Sequence, residues 1–145
     1  MTGHVDLQAI TLQHGSHANA AKGLCLMEAV AYFAGEPHSA SPKCASAVLT
    51  RFGITLNDRM PDDLRTKMLV PLIPLLVGTN VPVLERKRAE VLARGAVTRL
   101  APLALRARKW DALAERLEGI AEDAPLSEVR RVASEVHDAA HRRRR

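Results

Sequence analysis

The segment Gly23-Leu24-Cys25-Leu26-Met27-Glu28-Ala29-Val30-Ala31-Tyr32-Phe33-Ala34-Gly35 organises the reading of this chain. At about 100° per residue, Leu26, Met27, Val30, Phe33 and Ala34 cover most of a helical wheel. The polar-capable side chains Cys25, Glu28 and Tyr32 fall at i, i+3, i+7 on one stripe. A helix that is apolar on nearly every side belongs in the middle of a bundle. The segment is therefore expected to form a buried central helix over 23–34, ended by Gly35 as a left-handed cap and by Pro37. Glu28 is its odd residue. A buried carboxylate needs hydrogen-bond partners, or it must stay protonated.

Working outward, the 145 residues contain 47% hydrophobic but only 3% aromatic side chains. A core of Leu, Val and Ala favours close helix packing over a sheet. The expected fold is all-α: a single-domain orthogonal bundle of about six helices over residues 1–141, with a basic tail at 142–145. Val5, Leu7 and Ala9, followed by Ile10 and Leu12, alternate imperfectly with polar residues and suggest a short N-terminal extended arm or edge strand. Ser41 as N-cap and Pro42 at the first helical position open a second helix, with Ala45, Val48, Leu49 and Phe52 inward and Gly53 at its end. Leu56 to Met60 reads as a turn or a fragment of helix. Pro61-Asp62-Asp63 starts the next helix, where Leu64, Met68, Leu72 and Leu75 follow at helical spacing. Pro71 and Pro74 must kink or divide that element. A basic helix is expected from Val83 to about Ala101, kinked or ended by Pro102. Another follows from about Leu103 to Gly119, with Trp110, Leu113, Leu117 and Ile120 on one face. The last begins after Asp123-Ala124-Pro125, with Leu126, Val129, Val132 and Val136 inward.

The net charge of +5 is unevenly placed. Residues 1–84 balance to zero, 85–109 carry eight basic and two acidic groups, and 110–141 carry three basic and eight acidic groups. The first expectation for the two oppositely charged segments is mutual neutralisation. The basic set Arg86, Lys87, Arg88, Arg94, Arg99, Arg106, Arg108 and Lys109 is also the candidate surface for nucleic acid or an acidic protein. It forms no single clean face, and only Trp110 lies nearby for base stacking. Met1-Thr2-Gly3-His4 lacks a basic-then-apolar export pattern. The apolar run Leu69–Val77 is too short to span a bilayer. Two cysteines in that context point to reduced thiols and a cytoplasmic location, with no membrane partner.

Two chemistries centre on the first half. Cys25 near a helix start could be a thiolate nucleophile, with His17 or His38 as base and Glu28 orienting it; Tyr32 lies on the same stripe. The plainer alternative is a Glu28 bonded to backbone of the preceding loop, with Tyr32 filling core space. Alternatively His17, Cys25, His38 and Cys44, with His14 nearby, are zinc ligand types. Their spacing is poor: no Cys-x-x-Cys or His-x-x-x-His pair occurs among them, so no cofactor is expected. Buried thiols are the simpler account. The second half offers only His137 and His141.

The run Gly15-Ser16-His17, then Gly23-Leu24-Cys25-Leu26-Met27-Glu28-Ala29-Val30-Ala31-Tyr32, then Ala34-Gly35-Glu36-Pro37-His38-Ser39 and Cys44, resembles a family of small helical proteins of actinobacteria and their phages. Leu56-Asn57-Asp58 and the run Pro71 to Thr79 are similar to later blocks of it. The resemblance covers the first half. It implies a small soluble intracellular protein, encoded by a phage or mobile element, and it carries no established activity onto any residue. The leading expectation is a non-enzymatic binding module that engages nucleic acid or an acidic protein through the basic second half. The rival is a thiol- or zinc-dependent site, hydrolase-like or structural, built on Cys25, Glu28 and the nearby histidines.

Overall fold

A computed structural model describes residues 5–143. The structure is all-α; the described residues contain no strand. Two compact units can be distinguished within the chain, Met1–Glu85 and Arg86–Arg145.

The first unit is built around α1 (Leu26–Phe33), with Leu26, Met27, Ala29, Val30 and Ala31 essentially inaccessible to water. Burying each of its larger side chains contributes about 1.5–3 kcal/mol. The sequence expectation of an interior helix is met, three residues shorter at its N-terminus. Cys25 is the N-cap, and Gly35 at φ +72° ends the helix in the left-handed conformation. The C-terminal end reaches the surface, so Tyr32 is half exposed.

α2 (Ala47–Arg59) packs on α1. It starts later than the Ser41 cap suggests and runs further than Gly53. Ser46 is the N-cap, its hydroxyl accepting from the Leu49 amide at 3.2 Å. Gly53 lies inside the helix at the crossing, where an added Cβ would sit 3.0 Å from the Met27 sulfur. A glycine that usually weakens a helix here permits close approach. Phe52 is exposed, and the buried face is Thr50, Gly53 and Asn57.

α3 (Asp62–Leu69) begins at the acidic pair, as read from the sequence. A 3-10 turn, Val70–Leu72, carries Pro71, and α4 (Ile73–Leu76) carries Pro74. The prolines thus divide the element as expected. Its inward face is different. Leu64, Met68, Leu72 and Leu75 are all exposed, while Arg65, Leu69 and Ile73 are buried. In place of the N-terminal strand there is a 3-10 turn, Leu7–Ala9, after which Ile10 and Leu12 insert into the core.

The second unit carries a long helical run. α5 (Glu85–Gly95) passes through a π turn, Ala96–Leu100, into α6 (Ala101–Arg106). Pro102 has no amide to donate to its preceding turn. The widened turn, closed by the Ala101 amide on the Ala96 carbonyl, accommodates it, so the helix neither stops nor breaks there. The expected helix over 103–119 is instead two, α6 and α7 (Asp111–Glu118). Lys109, at φ +60°, turns the chain between them. Leu113, Leu117 and Ile120 face inward with Leu105, and Trp110 is half buried. α8 (Leu126–Arg142) buries Val129 and Val136 against them.

Candidate functional site

Glu28 is the third residue of α1, and its side chain is 1% exposed. One carboxylate oxygen accepts from the Cys25 amide and from His17 Nδ1, both at 2.8 Å. The other accepts from the His17 amide at 2.7 Å and lies 3.6 Å from His38 Nε2. His38 Nε2 itself donates to the His17 carbonyl at 2.8 Å. One buried acid therefore caps its own helix and pins the loop that precedes it. Burial alone would push the Glu28 carboxyl up. The two backbone amides and the His17 ring outweigh that and hold it below the usual carboxylate range.

The opposite side of the same loop is held from α2. Asn57, wholly buried, accepts from the Leu26 amide at 3.0 Å and donates to the Gln13 carbonyl at 2.9 Å. The Asp58 carboxylate accepts from Asn57 and from the Gly15 amide, which keep it ionised below the usual range. Arg65, only 4% exposed, donates to the Asn57 and Met60 carbonyls at 2.7 Å each and pairs with Asp62 at 2.6 Å. It thereby satisfies carbonyls at the end of α2. Sequence reasoning noted Asn57 and Asp58 in a motif and missed Arg65, whose charge suggested solvent.

Cys25, the nucleophile of the alternative reading, sits where a thiolate is disfavoured. Cys25 is buried and its thiol is pushed up to about 11, chiefly by burial, with the neighbouring Glu28 charge adding to the effect. A thiol so disposed is protonated at neutral pH and is a poor nucleophile. Cys44 is not inside a helix; it lies before α2, beside Glu36, which accepts from the Lys43 and Cys44 amides. Burial and Glu36 raise its thiol too. The structure does bring His17 and His38 to Glu28, but not Cys44. Among the described residues no group of three or more His, Cys, Asp or Glu side chains is placed to hold a metal. His14 is exposed.

Tyr32 leaves the stripe it shares with Glu28. It neither fills the core nor joins the carboxylate, and lines a cleft of about 550 Å³ with Asp6, Ile10, Lys22 and Leu24. Gly23, also on the cleft, has φ +142°. A Cβ there would lie 2.5 Å from Gln13 Oε1 and 2.6 Å from His17 Cδ2, so the loop closes tightly over the His17 ring.

The basic segment is partly neutralised inside the second unit. Arg94 donates to the Ala124 carbonyl at 2.5 Å and the Ala121 carbonyl at 3.4 Å. Arg106 clamps Glu118 at 2.6 Å and Asp111 at 3.2 Å, and Arg86 pairs with Glu90 one turn on at 3.1 Å. Lys87, Arg99, Arg108 and Lys109 are exposed. The Arg108 guanidinium stacks 5.8 Å from the Trp110 ring. Arg88 is half buried. Apolar side chains are interleaved with these cations: Val91, Leu100 and Leu103 are 60%, 59% and 65% exposed.

On α8, His137 and His141 stand one turn apart with their rings stacked, centroids 5.9 Å apart. Their i, i+4 spacing is a helical neighbour relation written in the sequence itself. No described helix is long and apolar enough to cross a membrane. Comparison of the chain with protein-family models, with curated proteins and with solved structures finds no match to any of them.

Proposed function

We propose that the chain is a non-enzymatic binding module that takes an acidic, amphipathic protein segment along the helical run from Arg86 to Arg106. The observation that carries this reading is the mixture of cations and bare aliphatic side chains on that run. Lys87, Val91, Arg99 and Leu103 step along it at multiples of four, with Leu100 beside them. Apolar side chains gain nothing against phosphate oxygens in water, whereas an acidic amphipathic helix would cover them and pair the cations. Pure phosphate binding would call for cations and stacking aromatics instead. The first unit supports the non-enzymatic part: its acid is spent on capping and loop closure, and its Cys25 thiol is protonated. A small protein active in the cytoplasm, of phage or actinobacterial origin, fits this reading.

The test measures anisotropy of a labelled acidic amphipathic peptide, and of single- and double-stranded DNA, titrated with the whole chain at low and high salt. Peptide binding that falls with salt, and is lost in a Val91→Asp/Leu103→Asp variant, supports the proposal. Tight DNA binding that ignores those substitutions but fails in Lys87→Glu/Arg99→Glu would replace it with nucleic-acid binding. Failure of all three probes overturns it.

A further inference from the structure

We propose that His137 and His141 form a two-point chelate for a divalent transition-metal ion of the imidazole-preferring group, Cu²⁺, Ni²⁺ or Zn²⁺. This inference is independent of the reading given for Arg86 to Arg106. Residues four apart on a helix stand one above the other, so two imidazoles there can share one ion. Both side chains are exposed on α8, turned away from the buried Val129 and Val136. Their rings already lie 15° from parallel with centroids 5.9 Å apart, so ordinary side-chain rotation brings a nitrogen of each to a common point. Neither ring is tied up in a hydrogen bond or ion pair with another described residue, in contrast to His17 and His38, which are committed to Glu28 and the His17 carbonyl. No third His, Cys, Asp or Glu side chain among the described residues completes a ligand set. Water therefore fills the remaining positions, which leaves the ion open to exchange.

The electrostatic setting is mixed. Arg142 and Arg143 follow the pair and repel a cation, while Asp138, one turn before His141, and the carbonyl end of α8 attract one. Failure of this reading leaves the one for Arg86 to Arg106 standing, and the reverse.

The experiment uses the full chain without an affinity tag. Calorimetry with each of Cu²⁺, Ni²⁺, Zn²⁺ and Mg²⁺ should give one ion per chain, tightest for Cu²⁺ and none for Mg²⁺. Either His137→Ala or His141→Ala should cost about tenfold or more in affinity, because each removes the intramolecular second ligand. Zn²⁺ should also slow amide exchange in the last turns of α8, which the ion would staple together. Two ions per chain, each variant losing one without change in the affinity of the other, would overturn the chelate. So would a double variant that binds as the natural chain does.

Discussion

Replacing Glu28 by alanine isolates the interaction on which the first unit depends. The carboxylate satisfies the Cys25 amide, the His17 amide and the His17 ring, at 2.7–2.8 Å. Hydrogen bonds to a charged group are worth about 1.5–3 kcal/mol each, but burying the acid costs several kcal/mol, so their sum is not the answer. The loss is better counted from what stays behind. The Cys25 amide remains buried and orphaned, at about 1–3 kcal/mol. The cap of α1 is lost, at about 1 kcal/mol, partly the same term. The His17 groups can swing into water, but the loop then surrenders its packing over Gly23. Together these give about 2–4 kcal/mol. With a urea slope near 1.5–2 kcal/mol/M for a unit of this size, the first unit's midpoint should fall by about 2 M. Far-UV circular dichroism follows the transition, and the expected result is its displacement to lower urea. Glu28→Gln, of equal size, must aim its amide hydrogens at one pair of donors, and should lose about half as much. A midpoint change under about 0.5 M in Glu28→Ala would refute the reasoning.

Acid should act through the same groups. Glu28 and Asp58 have carboxyls held below their usual range in the folded chain, so the folded state binds fewer protons than the unfolded one. Their contribution is fully present above the ordinary carboxyl value of about 4 and is lost as pH falls through the lower folded values. The first unit's urea midpoint should be level from about pH 5 to neutrality as far as these acids are concerned, then drop, and more shallowly in Glu28→Gln. An aromatic disulfide reagent at neutral pH should label Cys44 slowly and Cys25 only on unfolding, since burial raises both thiols; fast stoichiometric labelling of Cys25 would contradict its environment. Gly23→Ala combines a strained φ with a Cβ overlapping Gln13 and His17, and should cost about 2–3 kcal/mol in the same urea experiment.

How far the sequence reached follows from which residues were ambiguous. α1 was legible because almost no arrangement leaves Leu26, Met27 and Val30 in water. Glu28 as a loop tie was one of two readings, and hydrogen-bond geometry separates them. In α3 and α4, spacing alone offered two equally regular faces. The apolar one, Leu64, Met68, Leu72 and Leu75, was the natural choice, yet Arg65, Leu69 and Ile73 point inward. What decides it is the carbonyl end of α2, where Asn57 and Met60 present acceptors only a guanidinium at Arg65 can reach together. That is a tertiary fact with no local signature. Tyr32 misleads for a similar reason: a stripe on a helix says nothing of where along its length the covering neighbours stop.

The π turn at Ala96–Leu100 has a consequence for how the chain tolerates change in length. The widened loop of backbone holds, in effect, one spare residue between two stretches of ordinary helix. Removing Thr98 would restore a plain α-helix and leave everything beyond it facing much as before, because five residues of a π turn sweep about the same angle as four of an α-helix. Leu105 would then keep its seat beside Leu113 and Leu117. A residue taken from the regular turns of α5 or α6 instead would rotate all that follows by about 100° and drive a different side chain inward. Tolerance of a one-residue deletion here, against intolerance on either side, is the mark such a turn should leave in a mutational scan.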